Sequence, residues 1–303
     1  MANVLSNLVE TFFAPYHMFI VQDSCFVKHS GSIVEITGDY LHQFSIVSES
    51  DAILVLFDKS RNVSLFIDKH ELSVMYFILG DWYPLYHNGT LLRSSLPSTP
   101  SKIAVVTLFT PNYQYVCKHS EANIRAYCNL YGYSCYVYHD TLIDKDVHPT
   151  WNKPIVLLNH ILHHDYIMWI DSDAIFTNFD TSIEEIIPDT DKDLLLCDDI
   201  GGWTFNAGVQ IWKNTPWSRS TIIDWWNTEH VGHMQGGDQV QLINITKKSD
   251  PWKKHHAILP QRTFNSHPDV HRRGDFILHM MGKSGDDRIA AFTHWNKLLN
   301  IAH

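Results

Sequence analysis

Asp171-Ser-Asp173 interrupts the apolar run "DYIMWIDSDAIF" (165–176) with two carboxylates one residue apart. Like charges this close repel, and burying either one is costly, so the pair calls for a cation to collect it. Taken alone, an Asp-x-Asp of this kind is a strand-terminating turn in which one carboxylate caps the next segment. Three later segments change that weighing. "FNAGVQIW" (205–212) puts Asn206 and the small Ala207-Gly208 at the head of an apolar strand, where backbone can approach a ligand closely. "GGDQVQLI" (236–243) sets Asp238 and Gln239 behind two glycines at a helix start, and "GDFILHMMGKSGDDR" (274–288) ends a strand on His279 before Gly282-Lys283. A small anionic ligand is compatible with such a chain, because a metal and a few well-placed donors suffice to hold one.

These residues need elements to position them. "KIAVVTLFT" (102–110) reads as a buried strand, and Val116, Ile124, Tyr127 and Tyr131 then fall at helical spacing, ending at Gly132. "YSCYVYH" is a second strand, a helix runs from Pro154 through Leu162 with proline in its first turn, and "YIMWID" is a third strand. Strand–helix–strand–helix–strand predicts a parallel α/β sheet, whose ligands sit beyond the carboxyl ends of the strands, where Asp171 and Asp173 fall. Before residue 93 the texture differs. "SIVEITG", "DAILVLFD", "NVSLFID" and "VMYFIL" are β-branched or aromatic runs, punctuated by turn pairs such as Gly38-Asp39 and Asn88-Gly89. They predict an antiparallel meander or small barrel. The expected organisation is therefore a β-rich region over 1–93, a Ser/Pro linker over 94–101 and an α/β domain over 102–303.

The composition narrows the function. Net charge is −10 and no block of Lys or Arg exceeds Lys253-Lys254, which argues against nucleic acid as a partner. Five cysteines form no C-x-x-C pair, which speaks against a zinc site or a disulfide framework and for a reducing compartment. Sequons at Asn62, Asn88 and Asn244 carry little weight without a secretory signal. No stretch reaches the roughly 18–20 apolar residues that span a bilayer, and Phe12–Val21, broken by Pro15 and His17, reads as neither signal nor anchor.

In the order D-x-D, N-A-G, D-Q, H-x-x-G-K, residues 102–285 resemble nucleotide-sugar glycosyltransferases of GT-A fold. The closest pattern is the group of plant xyloglucan xylosyltransferases, galactomannan galactosyltransferases and fungal Golgi mannosyltransferases. Glycogenin-like enzymes are more distant. The resemblance implies a Rossmann-like mixed, mainly parallel sheet with flanking helices, a nucleoside-diphosphate sugar as donor, UDP foremost, and Mn²⁺ (or Mg²⁺) as cofactor. By the same resemblance Asp173 ligates the metal, Asp171 shares it or contacts the ribose, and His279 completes the set. A histidine ligand favours manganese over magnesium. Lys283 and Gly282 would receive the diphosphate, Lys153 would touch the donor, and Thr107 and Tyr113 would line the nucleotide pocket. Asp238, Gln239 and Asn206 would face the transferred sugar and acceptor. Of the tryptophans after Gly201-Gly202, Trp203 is the one expected near the acceptor, while the helical pair Trp225-Trp226 reads as core plus surface.

The resemblance also implies a glycan or glycoconjugate acceptor and retention of configuration, with the departing phosphate taking the acceptor proton. An inverting enzyme of the same fold would need a carboxylate base, with Asp198 and Asp199 the suspects. A non-catalytic carbohydrate-binding protein and a metal-dependent phosphodiesterase or nucleotidyltransferase are the rival classes. The first is disfavoured by intact Asp171, Asp173, Asp238 and His279, the second by N-A-G and D-Q segments that its chemistry does not require. Eukaryotic members of the group are membrane-anchored, so a chain read as lacking an anchor points to a cytoplasmic enzyme of prokaryotic or viral origin. The N-terminal region is expected to bind acceptor, to mediate homo-oligomer assembly, or to pack on the catalytic domain.

Overall fold

The computed structural model describes residues 16–21, 24–29, 32–37, 40–49, 53–61, 63–68, 73–78, 81–86, 90–93 and 102–301, apart from 144–145, 188–190, 231, 233–236 and 252. The expected linker 94–101, the turn pairs Gly38-Asp39 and Asn88-Gly89, and the sequons at Asn62 and Asn88 lie outside the described residues. The chain divides into two compact units, Met1–Ser98 together with Arg219–Asn227, and Thr99–Ser218 together with Thr228–His303.

Among the described residues the first unit holds nine strands: β1 (Tyr16–Val21), β2 (Ser24–His29), β3 (Ser32–Thr37), β4 (Tyr40–Glu49), β5 (Ile53–Asp58), β6 (Val63–Asp68), β7 (Ser73–Ile78), β8 (Asp81–Tyr86) and β9 (Thr90–Arg93). They form a sheet in the order β8-β7-β6-β5-β4-β3-β2-β1-β9, antiparallel throughout. The meander follows from period-2 patterning. Leu54 and Leu56 on β5 and Leu65 and Ile67 on β6 are buried on one face with Phe26, Ile33, Phe44 and Val74. Burying a phenylalanine such as Phe44 in this layer removes it wholly from water, which is worth about 1.5–3 kcal/mol. Strand β9 pairs with β1, so the strand order turns back to its beginning, and the described pairings are those of the expected antiparallel meander.

The second unit contains β10 (Ile103–Leu108), α1 (Gln114–Tyr131), β11 (Ser134–Tyr138), α2 (Asn152–Ile161), β12 (Tyr166–Ile170), β13 (Ala174–Phe176), α3 (Ile183–Ile186), β14 (Leu194–Cys197) and β15 (Asn206–Lys213). Next come α4 (Pro216–Trp226), most of which clusters with the first unit, α5 (Gly237–Ser249), β16 (His256–Leu259), β17 (Ile277–His279) and α6 (Gly285–Leu298). Helix α1 buries Val116, Ile124 and Tyr127 along one face and stops where Gly132, at φ +71°, donates its N–H to Cys128 O. Pro154 is the third residue of α2, where a missing N–H breaks no bond.

The main sheet runs β11-β10-β12-β15-β14-β16. Strand β10 is parallel to β11 and β12, whereas β15 is antiparallel to both β12 and β14. A separate antiparallel pair, β13 with β17, sets Ala174 opposite His279. The fold is thus mixed α/β, parallel at its β10–β11–β12 end, with a β-rich N-terminal region. Trp225 and Trp226 are both buried, where core plus surface was expected. Among the described residues no helix is long and apolar enough to cross a membrane. All five cysteines are free.

Candidate active site

The Asp171–Asp173 loop begins where β12 ends, and backbone bonds from three directions fix it. Asp171 N–H donates to Gly208 O at 2.8 Å, Ala174 N–H closes a turn onto Asp171 O at 3.0 Å, and Met280 N–H donates to Asp173 O at 2.8 Å. Helix α1 adds Ser120, whose hydroxyl donates to Ser172 O at 2.9 Å, and Asn123, whose amide pairs with both backbone groups of Phe176. The strand ladders therefore aim two carboxylates at one spot, and the β13–β17 register delivers His279 to the same place.

His279 Nε2 lies 3.2 Å from Asp173 Oδ1 and 3.8 Å from Asp171 Oδ2. One ligand atom from each of Asp171, Asp173 and His279 falls within 4.8 Å of the other two. Two carboxylate oxygens and an imidazole nitrogen suit a divalent ion, and the nitrogen favours Mn²⁺ over Mg²⁺. The residues present therefore fit the expected metal.

Two permanent cations also converge here. Lys153, buried on α2, reaches Asp171 at 3.2 Å and Asp238 at 3.0 Å, and donates to Ala207 O at 3.3 Å. Arg288 from α6 pairs with the other oxygen of Asp173 at 2.9 Å and is held by the Tyr113 ring and hydroxyl. Burial pushes the Asp171 carboxyl up, outweighing the pull of Lys153 and His279, and the charge of Asp173 adds to the rise. Burial would raise Asp173 as well, but His279 and Arg288 hold it down at about 2. Burial alone would lower Lys153, yet Asp171 and Asp238 keep its ammonium above the ordinary value. Three carboxylates thus face two permanent cations and one imidazole, an arrangement with anionic charge to spare for a metal.

Behind the carboxylates, Asn206 Oδ1 accepts from Gly208 N–H at 2.8 Å and from Asn265 Nδ2 at 3.0 Å. Its Nδ2 donates to Asp199 Oδ1 at 3.0 Å. Gln239 Oε1 accepts from Ala207 N–H at 2.9 Å, which locks the start of α5 to the N-A-G strand. Gly208 is required here because a Cβ on it would lie 2.0 Å from His279 Cε1.

The structure thus brings Asp171, Asp173, His279, Lys153, Asp238, Gln239 and Asn206 into one hydrogen-bonded and ion-paired network. The remaining expected residues are placed differently. Thr107 is fully buried, and its hydroxyl has no hydrogen-bond partner among the described residues. Tyr113 packs on Arg288. Lys283 pairs with Asp269 at 2.9 Å, and Gly282 has a positive φ of +72° inside the turn that Lys283 N–H closes onto Met280 O. Trp203 is 48% exposed. Asp198 is exposed, whereas Asp199 is half-buried and bonded to Asn206.

Sequence reasoning missed Arg288, Asn265 and Trp169, whose indole N–H donates to Asp171 Oδ1 at 2.7 Å. Trp169 was within reach, since residues two apart on a strand share a face. Arg288 and Asn265 carry no local signal.

Residues 100–198 match the galactosyl transferase GMA12/MNN10 family, a stretch that includes Asp171, Asp173 and Lys153. No curated protein matches the chain. Among solved structures, the chain is similar to a glycosyltransferase involved in glycosylation of the major capsid of PBCV-1. The identity is 15%, over 64% of this chain and 100% of that one, with a TM-score of 0.54. It is also similar to the glycosyltransferase GlyE of Streptococcus pneumoniae TIGR4, at 18% identity over 66% of this chain and 63% of that one, with a TM-score of 0.43. The family match over the strand that carries the two aspartates, joined to the fold shared with the capsid-glycosylating enzyme, makes this chain a glycosyltransferase of GT-A fold.

Proposed function

We propose that this glycosyltransferase is metal-dependent and moves a sugar from a nucleoside diphosphate, UDP foremost, to a hydroxyl of a glycan or glycoconjugate. The observation that carries this reading is the convergence of Asp171, Asp173 and His279 within 4.8 Å at the carboxyl edge of the sheet. Mn²⁺, when held there, neutralises the clustered charge of a diphosphate leaving group as a Lewis acid. Around it the protein's own groups orient the reactants. Lys153 fixes Asp171 and Asp238 in one geometry, so the metal set and the sugar-facing carboxylate are positioned together. Gln239 and Asn206 hold the N-A-G strand in place beside them. Lys283, on its exposed turn, is the cation that would meet the departing diphosphate, exchanging Asp269 for it.

Retention of configuration fits Asp238 better than base catalysis does. A carboxylate 3.0 Å from a buried ammonium is a fixed negative charge that can steady a developing oxocarbenium ion. The inverting alternative rests on Asp199, which accepts from Asn206 at 3.0 Å and could serve as base. Residues 102–303 form the catalytic domain in this reading, with 1–93 as an accessory region. There Tyr40, 66% exposed and stacked on His42, offers an aromatic face of the kind sugar rings pack against.

The experiment is incubation with a panel of nucleotide sugars, with Mn²⁺ or with EDTA, followed by assay of free nucleotide and of the product anomer by NMR. Metal-dependent release of nucleoside diphosphate is expected. No turnover and no donor binding across the panel would overturn the reading. Release of the monophosphate would favour phosphodiester chemistry, and an inverted anomer lost in Asp199→Asn would replace the retaining assignment.

A further inference from the structure

We propose that Asn265 is a positioning residue that sets the tautomer of His279, through a hydrogen-bond chain starting at the backbone N–H of Gly208. The inference rests on the reading of Asp171, Asp173 and His279 as the metal-binding set. Each link has only one workable direction. Gly208 N–H can only donate, so the Asn206 atom 2.8 Å away is its carbonyl oxygen. That oxygen can only accept, so the Asn265 atom 3.0 Å from it is the amide nitrogen. The carbonyl oxygen of Asn265 is then the atom 2.9 Å from His279 Nδ1, and Nδ1 must carry the proton. In the neutral ring this leaves a lone pair on Nε2, the atom that faces Asp173 at 3.2 Å and Asp171 at 3.8 Å.

Without the chain the opposite tautomer would prevail. A carboxylate is a stronger acceptor than an amide carbonyl, so Asp173 would draw the single proton of a neutral ring to Nε2. A proton there occupies the position a metal needs. The relay opposes this with an acceptor that cannot turn round, because turning the Asn265 amide would set its NH₂ against Nδ1–H and its oxygen against the Asn206 carbonyl. Water cannot substitute easily, since Asn265 is 0%, His279 3% and Asn206 7% exposed. The ring sits against β15 in the space that glycine leaves at position 208, since a Cβ there would lie 2.0 Å from its Cε1. Asn265 is itself anchored, its N–H donating to Gln261 O at 3.0 Å. A buried asparagine with no apolar work to do is thereby explained by the orientation it imposes on a ligand.

The test uses the metal-free full-length chain labelled with ¹⁵N-histidine, in alkaline buffer. Long-range ¹H–¹⁵N spectra report which ring nitrogen carries the proton, and the His279 signal is the one missing from His279→Asn. The expected wild-type ring is protonated at Nδ1. In Asn265→Leu the proton should move to Nε2, and Mn²⁺ affinity, followed by the EPR signal of the free ion, should fall about 10–100-fold. A wild-type ring protonated at Nε2 overturns the proposal. So does a folded Asn265→Leu chain with unchanged tautomer and unchanged affinity. The wild-type spectrum needs no variant, so unfolding of Asn265→Leu leaves the test standing. Neither readout uses sugar transfer. A chain with the Nδ1-protonated ring and no turnover of any nucleotide sugar would lose the proposed function and keep this inference.

Discussion

In the N-terminal sheet, buried charge is settled by near neighbours. Asp58, 2% exposed, accepts from Ser60 N–H at 2.8 Å, from the Ser60 hydroxyl at 2.6 Å and from Arg61 Nε at 2.5 Å, all within three residues. Glu35 accepts from Ser24 on the adjacent strand at 2.8 Å. In the glycosyltransferase unit the carboxylates of the candidate site are settled by distant groups, whereas Asp250 is closed by Lys254, His255 and His256 close by. Asp173 meets His279, 106 residues along the chain, and Arg288 beyond it, while Asp171 and Asp238 share Lys153. A locally closed charge pair has no capacity left for a ligand and reads as structure. Charges gathered from remote segments, with carboxylates outnumbering permanent cations, leave negative charge uncompensated and read as a candidate site.

The contrast can be broken experimentally, and the largest effect should come from the site. Asp173→Asn is expected to cut Mn²⁺-dependent nucleotide release about a thousandfold or more, some 4 kcal/mol of transition-state stabilisation, with circular dichroism unchanged. Full activity would remove Asp173 from the metal set. Phe44→Ala tests packing in the N-terminal sheet, where the ring is fully buried. Urea titration should show a loss of about 3–5 kcal/mol. A cost below about 1 kcal/mol would mean that this layer does not depend on its apolar face.

Gly208→Ala should weaken Mn²⁺ binding about tenfold or more, because the added methyl displaces the His279 ring. Calorimetric titration with Mn²⁺ reads it, and unchanged affinity would mean that the ring has another place to sit.

Asp58 gives a signed pH dependence. Its hydrogen bonds overcome the burial penalty and hold the folded carboxyl at about 2, below the ordinary 3.8. The resulting contribution, about 2 kcal/mol, is fully present above the unfolded value and is lost as pH falls through the folded one. Asp58→Asn should therefore cost stability at neutral pH and narrow its gap to wild type between about pH 4 and pH 2 in chemical denaturation. A gap that does not narrow would mean that this carboxylate is not the titrating group.

The smallest effect should come from the exposed pair Arg125–Glu121 on α1, 2.7 Å apart. Arg125→Ala is expected to cost only about 0.3–0.5 kcal/mol. A thermal shift of several degrees would show that the pair acts as part of a larger network.

What could be read along the chain was whatever repeats locally. β-Branched and aromatic runs set between turn residues predicted the strands that became β3, β5, β6 and β7, and 3.6-residue spacing with Gly132 predicted α1 to its last residue. A continuous apolar run ending in Asp-Ser-Asp predicted β12 and the rim where the carboxylates emerge. Local spacing could not show Trp225 and Trp226 both buried, because burial of a second face depends on what another segment brings to it.

The residue types of the candidate site, and their order from Asp171 to His279, were determined by the sequence itself, since each motif is a short local pattern at the end of an element. Tertiary structure alone decided that Lys153 would join Asp171 to Asp238, that Arg288 would close on Asp173, and that Asn265 would stand behind His279. Such partnerships depend on strand register and on packing between segments a hundred residues apart, where two side chains meet or miss by an ångström or two, and no periodicity along the chain encodes that distance.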